Sequence, residues 1–290
     1  MTSFTRSALA CLAAAAAAFA ALGAPAAADM RNELSLSPAK AGAGAPAIVF
    51  TTLAHGSAER EEMTVTSPIS LHIVGLTDCA AGTFTEMDPA LKVYTTMPLS
   101  QAPPDDLGLP DFQYLFTAPP PNAGKTGAID EKVAVKDLGM DTPPGLSGQA
   151  HHYVIDSLRT NSGAAGSDSQ SVSADVWIDP ALKRLDCPQR TQYPRSYKTP
   201  GGATITITLS GDTAAYQSVI EQVPVEVILR GGQAPLTFKR TASSTDALDP
   251  GLFVIPPGFK QVPLGQFASD ESNALLDQAA GPQPDLAPKK

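Results

Sequence analysis

The chain has 290 residues and 43% hydrophobic side chains, with 29 acidic residues against 20 basic ones and a net charge of −9 at pH 7. That balance disfavours binding to nucleic acid, which needs clustered Lys and Arg to displace counterions, and equally disfavours electrostatic docking on anionic lipid. The length suffices for one large or two small domains.

In chain order, Arg6 precedes an apolar run from Ala8 to Leu22, and Ala26-Ala27-Ala28 stands before Asp29. A basic start, an apolar stretch of about 15 residues and an A-x-A site form the pattern of a cleavable signal peptide. Residues 1–28 are therefore expected to be removed, with the remainder periplasmic or secreted. The alternative is a retained anchor, but the run falls short of the roughly 20 residues needed to span a bilayer. Cys11 lies near the start of the run, whereas a lipidated cysteine would have to follow it. No later segment is apolar enough to span a membrane.

Residues 29–48 are rich in Ala, Gly and Pro and read as irregular. A single β-domain is expected over 49–263. Met63–Thr66, Ile69–Val74, Thr83–Met87 and Lys92–Met97 alternate apolar and polar residues between turn signals, the rhythm of an antiparallel meander. Residues 98–128 interrupt it with seven prolines, which forbid ladder pairing. Inside this insertion, Phe112, Tyr114, Leu115 and Phe116 form an aromatic group fit for a lid.

Strands resume at Val133–Gly139, His151–Asp156 and Val172–Ile178, with a Gly/Ser-rich tip from Asn161 to Ser171. They continue at Ala203–Leu209, Val223–Leu229 and Leu236–Arg240. Two short helices are expected. Asp212 can cap one over Thr213–Gln222, whose Tyr216, Val219 and Ile220 share a face. The other runs over about Asp270–Ala279, within a segment 264–290 whose tail beyond Gly281 reads as disordered.

Sites of chemistry are few. There is no G-x-S-x-G, H-E-x-x-H, P-loop or G-x-G-x-x-G motif. His151 and His152 are adjacent on a strand, so they point to opposite faces and cannot share a metal. No metal or cofactor is expected. Cys79 and Cys187 are either bridged, as an exported protein permits, or two separate thiols. Trp177, the only tryptophan, is either core filler or the wall of an apolar cavity.

Three segments in order resemble the LolA/LolB-like superfamily of periplasmic lipoprotein carriers. They are Thr85–Pro98, with its Asp88-Pro89 turn followed by Lys92 and Tyr94; Val135–Gly139 with Leu146–Val154 and the Trp177 strand; and Asp246–Lys260, with Leu252-Phe253-Val254-Ile255-Pro256. The nearest branch is its uncharacterised secreted domains, and the resemblance spans about 50–263. It implies a mainly β protein: a curved antiparallel sheet forming an open half-barrel, whose concave apolar face holds acyl chains.

The strand reading supplies candidate wall residues for such a face: Leu71, Ile73, Val93, Trp177, Ile205, Ile207, Val225, Val227 and Phe238. The leading functional expectation is non-enzymatic binding of a hydrophobic small molecule or lipid. The alternatives are an envelope protein-interaction or assembly module and, on location and dispersed polar residues alone, a periplasmic hydrolase.

Overall fold

The structure is a computed structural model that describes residues 29–38, 47–66, 69–102, 127–163, 166–199, 202–230 and 235–280. The expected leader, the aromatic group of the insertion and the C-terminal tail lie outside the described residues. What is described is mainly β: fourteen strands in one curved sheet that does not close into a barrel.

The N-terminal strands run as a meander: β1 (Met30–Pro38), β2 (Ile48–His55), β3 (Ala58–Thr66), β4 (Ser70–Asp78), β5 (Thr83–Asp88) and β6 (Val93–Pro98). After the insertion come β7 (Gly127–Asp141), β8 (Ala150–Gly163), β9 (Gly166–Lys183), β10 (Arg195–Lys198), β11 (Thr204–Gly211), β12 (Gln222–Arg230), β13 (Leu236–Ser244) and β14 (Lys260–Gln261). Across the sheet the order is β10-β11-β7-β8-β9-β12-β13-β1-β2-β3-β4-β5-β6-β14. Pairing is antiparallel except for β11 with β7 and β14 with β6. Both edge strands are short, which leaves little open ladder for another chain to extend.

Two strand expectations change. Residues 29–48 are not irregular throughout, because β1 lies between β13 and β2 near the middle of the sheet. Its Leu34-Ser35-Leu36-Ser37 alternation carries a period-2 signal that the surrounding Ala, Gly and Pro obscured. The Gly/Ser-rich tip is also ordered further than expected. β8 and β9 stay paired out to Gly163 and Gly166, with Thr160 Oγ1 and Ser169 Oγ 3.1 Å apart across the strands. Cross-strand pairing here overrides weak intrinsic β-propensity. Pro224 sits within β12, inside the strand expected over Val223–Leu229, and the register with β9 shifts on both sides of it because proline has no amide to donate.

Three helices are described: α1 (Pro188–Thr191), α2 (Thr213–Ile220) and α3 (Leu264–Ala280). α2 forms where expected and buries Tyr216, Val219 and Ile220. Asp212 holds its N-terminal position, yet the carboxylate does not cap the helix. It accepts from the Val135 amide at 3.0 Å, while its own amide donates to Val133 O. The approach is close enough that a Cβ on the preceding Gly211 (φ +84°) would lie 2.1 Å from Val133 O. Glycine is required there. α3 starts six residues before the expected position, and its early turn carries the fully buried Phe267.

The core sits on the sheet's inner face. Leu34, Phe50, Met63, Ile73, Val133, Val176, Val227 and Phe238 belong to one apolar cluster, completed by the three inward residues of α2. Leu275 of α3 packs against it. Cys79 and Cys187 are bridged, tying the β4–β5 turn to the start of α1 across 108 residues of sequence.

Candidate ligand-binding face

The candidate wall residues divide by strand register. Leu71, Ile73, Val227 and Phe238 lie together in the inner apolar cluster. Ile207 is buried on β11 outside that cluster, and Ile205, Val93 and Val225 are half-buried. Trp177 is corrected. Its neighbours Val176 and Ile178 both enter the inner cluster, so alternation turns Trp177 to the outer face. The lid candidates Phe112, Tyr114, Leu115 and Phe116 lie outside the described residues.

The outer face around Trp177 is its own polar site. His152 stands opposite Trp177 in register and stacks on it at 4.0 Å, and Glu226 is opposite Trp177 on the other side. Trp177 Nε1 and both Glu226 carboxylate oxygens are buried without a hydrogen-bond partner. The Lys239 ammonium lies 3.5 Å from Glu226 and donates to Pro144 O at 2.6 Å. Burial pushes Glu226 above its usual range, against the pull of Lys239. Burial also pushes His152 down, while Asp141 at 3.5 Å opposes the shift.

The other histidines are dispersed. His55 meets Asp29 at 2.8 Å, His72 meets Glu62 at 2.9 Å, and His151 meets Asp137 at 2.6 Å. Each has its own carboxylate, and among the described residues no three His, Cys, Asp or Glu are grouped to hold a metal. A hydrolase reading would need His72 or His151 to meet carboxylates around a pocket. Each meets one carboxylate, but neither lines the cavity beside Arg184 and Arg190 or the one between the sheet's two edges.

A second region of the inner face was not anticipated from sequence. On β3, Glu59 and Glu61 alternate in phase with Met63 and Val65 and therefore share their face, fully covered. Arg184 donates to both carboxylates at 2.6 Å. Arg190 donates to Glu59 and, at 3.2 Å, to Glu61. Arg195 in turn donates to the carbonyls of Arg190 and Leu99. Burial alone would raise Glu59, but the two guanidinium groups outweigh it and hold the carboxyl at about 2. Glu61 shifts the other way, raised by burial with Glu59 adding to the shift.

Beyond Gly75, which is opposite both Glu61 and Glu86, the row continues into Glu86 and Asp88 of β5. The sequence signal was available in Glu59-Arg60-Glu61-Glu62, a run that reads most simply as solvated charge. Only register shows that alternate members are buried.

Two cavities flank this charged region. One of about 510 Å³ is lined by Leu182, Arg184, Arg190 and Ile220 among others. The other, about 540 Å³, lies between the sheet's two edges, with Thr95 and Met97 on one side and Lys198 on the other. Neither is lined by a candidate wall residue. No helix of the described residues is long and apolar enough to cross a membrane. No protein-family model matches the chain and no curated protein matches it, so the likeness to LolA/LolB-like carriers stands on the three segments that suggested it.

Proposed function

We propose that this is an exported, non-enzymatic binding protein for a hydrophobic chain, such as a lipid or acyl group, taken up against the inner face of its open sheet. The observation that carries the reading is one apolar surface shared by nine strands of an unclosed sheet and covered by helices, with no second sheet packed over it among the described residues. Leu71, Ile73, Val227 and Phe238 are its wall. Because these side chains are already buried, ligand enters by displacing cover. A LolA/LolB-like carrier would work in this way. The Cys79–Cys187 bridge agrees with work in an oxidising, extracytoplasmic compartment.

The test is native mass spectrometry of protein taken from its own source, with organic extraction, followed by titration of delipidated protein with a fluorescent fatty-acid probe. An extracted chain lipid and saturable probe binding are expected. Absence of both overturns the proposal.

A protein-interaction role is the second reading, favoured by Leu252, Val254 and Ile255, which stay exposed within four residues of each other. Replacing all three with serine would abolish partner capture under this reading and leave probe binding unchanged under the first.

A further inference from the structure

α3 docks through a single stripe. Phe267, Glu271 and Leu275 recur at i, i+4 and i+8, the spacing that puts them on one helix face. Phe267 is fully buried and Leu275 packs on the apolar cluster. Further along, Gln278 accepts from Ser70 N at 2.7 Å and donates to Ser70 O at 3.0 Å. The middle member of the stripe is a carboxyl. Glu271 is 1% exposed, and neither of its oxygens has a hydrogen-bond partner. The helix lies against β4 and β6.

The groups facing Glu271 make the placement conditional. From β5, Glu86 and Asp88 are buried beside it, and both charges act against its ionisation. Asp88 is already held by the Ala90 and Leu91 amides in its own turn. The inward positions of β4 (Leu71, Ile73, Gly75) and of β6 (Val93, Thr95, Met97) carry no titratable side chain. In the neighbouring row, Arg184 and Arg190 are engaged with Glu59 and Glu61, and Arg195 bonds backbone carbonyls. On α3 itself, Asp270 and Asp277 add negative charge.

We propose that α3 is a proton-dependent strap: it lies on the sheet with Glu271 neutral beside Glu86 and Asp88, and it lifts when that carboxyl ionises. The carboxyl titrates in a useful range, since burial first, and then Glu86 and Asp88, push it up to about 9. A carboxyl raised by docking stabilises the docked form fully below its ordinary value near 4.5. That stabilisation is lost as pH rises through about 9. Lifting would uncover the β4–β6 part of the inner face. The inference concerns the helix and holds whatever the face binds.

Hydrogen exchange of the full chain between pH 5 and 10, corrected for intrinsic exchange rates, tests it. Protection of residues 264–280 should fall by up to about tenfold per pH unit, the slope of one linked proton, while the β7–β9 strands hold. Glu271→Gln, which mimics the neutral carboxyl, should remove that slope and raise protection at pH 8. Gln278→Ala should lower protection at every pH and keep the slope. A flat profile in the unsubstituted chain, or a slope that survives in Glu271→Gln, overturns the proposal. Fatty-acid probe binding, measured on the same samples, separates the two ideas: a pH-dependent helix on a protein that binds no probe sinks the ligand reading alone.

Discussion

The inner face of this sheet carries two regions built on opposite principles. Around Val176, Val227 and Phe238 it is apolar, closed by α2, and stabilised by removal of hydrocarbon from water. From β3 to β5 the same face carries Glu59, Glu61, Glu86 and Asp88, met by Arg184 and Arg190 on one side and by Glu271 on the other. Burial is equally complete in both regions, so exposure alone does not distinguish them. Tolerance does: truncating an apolar side chain leaves a cavity, whereas removing an ion partner leaves an uncompensated charge in a low dielectric.

The sharpest way to break the comparison is to truncate one member of the ion cluster. Arg190→Ala should destabilise by about 3–5 kcal/mol, because Glu59 and Glu61 are then short of a cation. Val227→Ala at the apolar centre should cost less, on the order of 2 kcal/mol including its cavity. Urea unfolding of both variants reads the order directly. If Val227→Ala proves the more damaging, the charged region is a tolerated feature and not a structural one.

Opening the Cys79–Cys187 bridge should cost about 2–5 kcal/mol, since it closes a loop of 108 residues. The bridge ties the charged region's α1 segment to the β4–β5 turn. Its reduction should therefore raise hydrogen exchange there first and leave β7–β9 protected.

Acid should act on one carboxylate and alkali on the other. Glu59, held at about 2, contributes stability that is present above its ordinary value and lost as pH falls through about 2. Glu271 has the opposite sign, so Glu59→Gln should flatten the acid limb of stability against pH, and Glu271→Gln the alkaline limb. A single limb abolished by both substitutions would mean that the two sites titrate as one.

The smallest effect is expected at Trp177. It lies behind the sheet from the candidate wall, stacked on His152, so an acyl chain bound on the inner face should leave its emission maximum nearly unchanged. A large shift on ligand addition would move the binding site to the outer face.

Much of the fold was legible in local sequence. The meander from β3 to β6, the β11 strand and the inward face of α2 follow from alternation and helical spacing, as did the opposite orientations of His151 and His152. β1 escaped because its Leu-Ser alternation sits in a stretch dominated by Ala, Gly and Pro. β10 and β14 escaped because strands of four and two residues hold too little pattern to register. Trp177 is buried, as its core-filler alternative has it, but it leaves the candidate wall because alternation tells which residues share a face and not which face is the inner one.

By itself the sequence determined the β class, the acidic balance and the alternation of each long strand, since those depend on residues close along the chain. Tertiary structure alone decided that Glu59 and Glu61 face inward onto arginines more than 120 residues away, that Cys79 meets Cys187, and that Glu271 meets Glu86 and Asp88. Those partners are joined by sheet register and by where a helix comes to rest. Such long-range pairings have no counterpart in local periodicity.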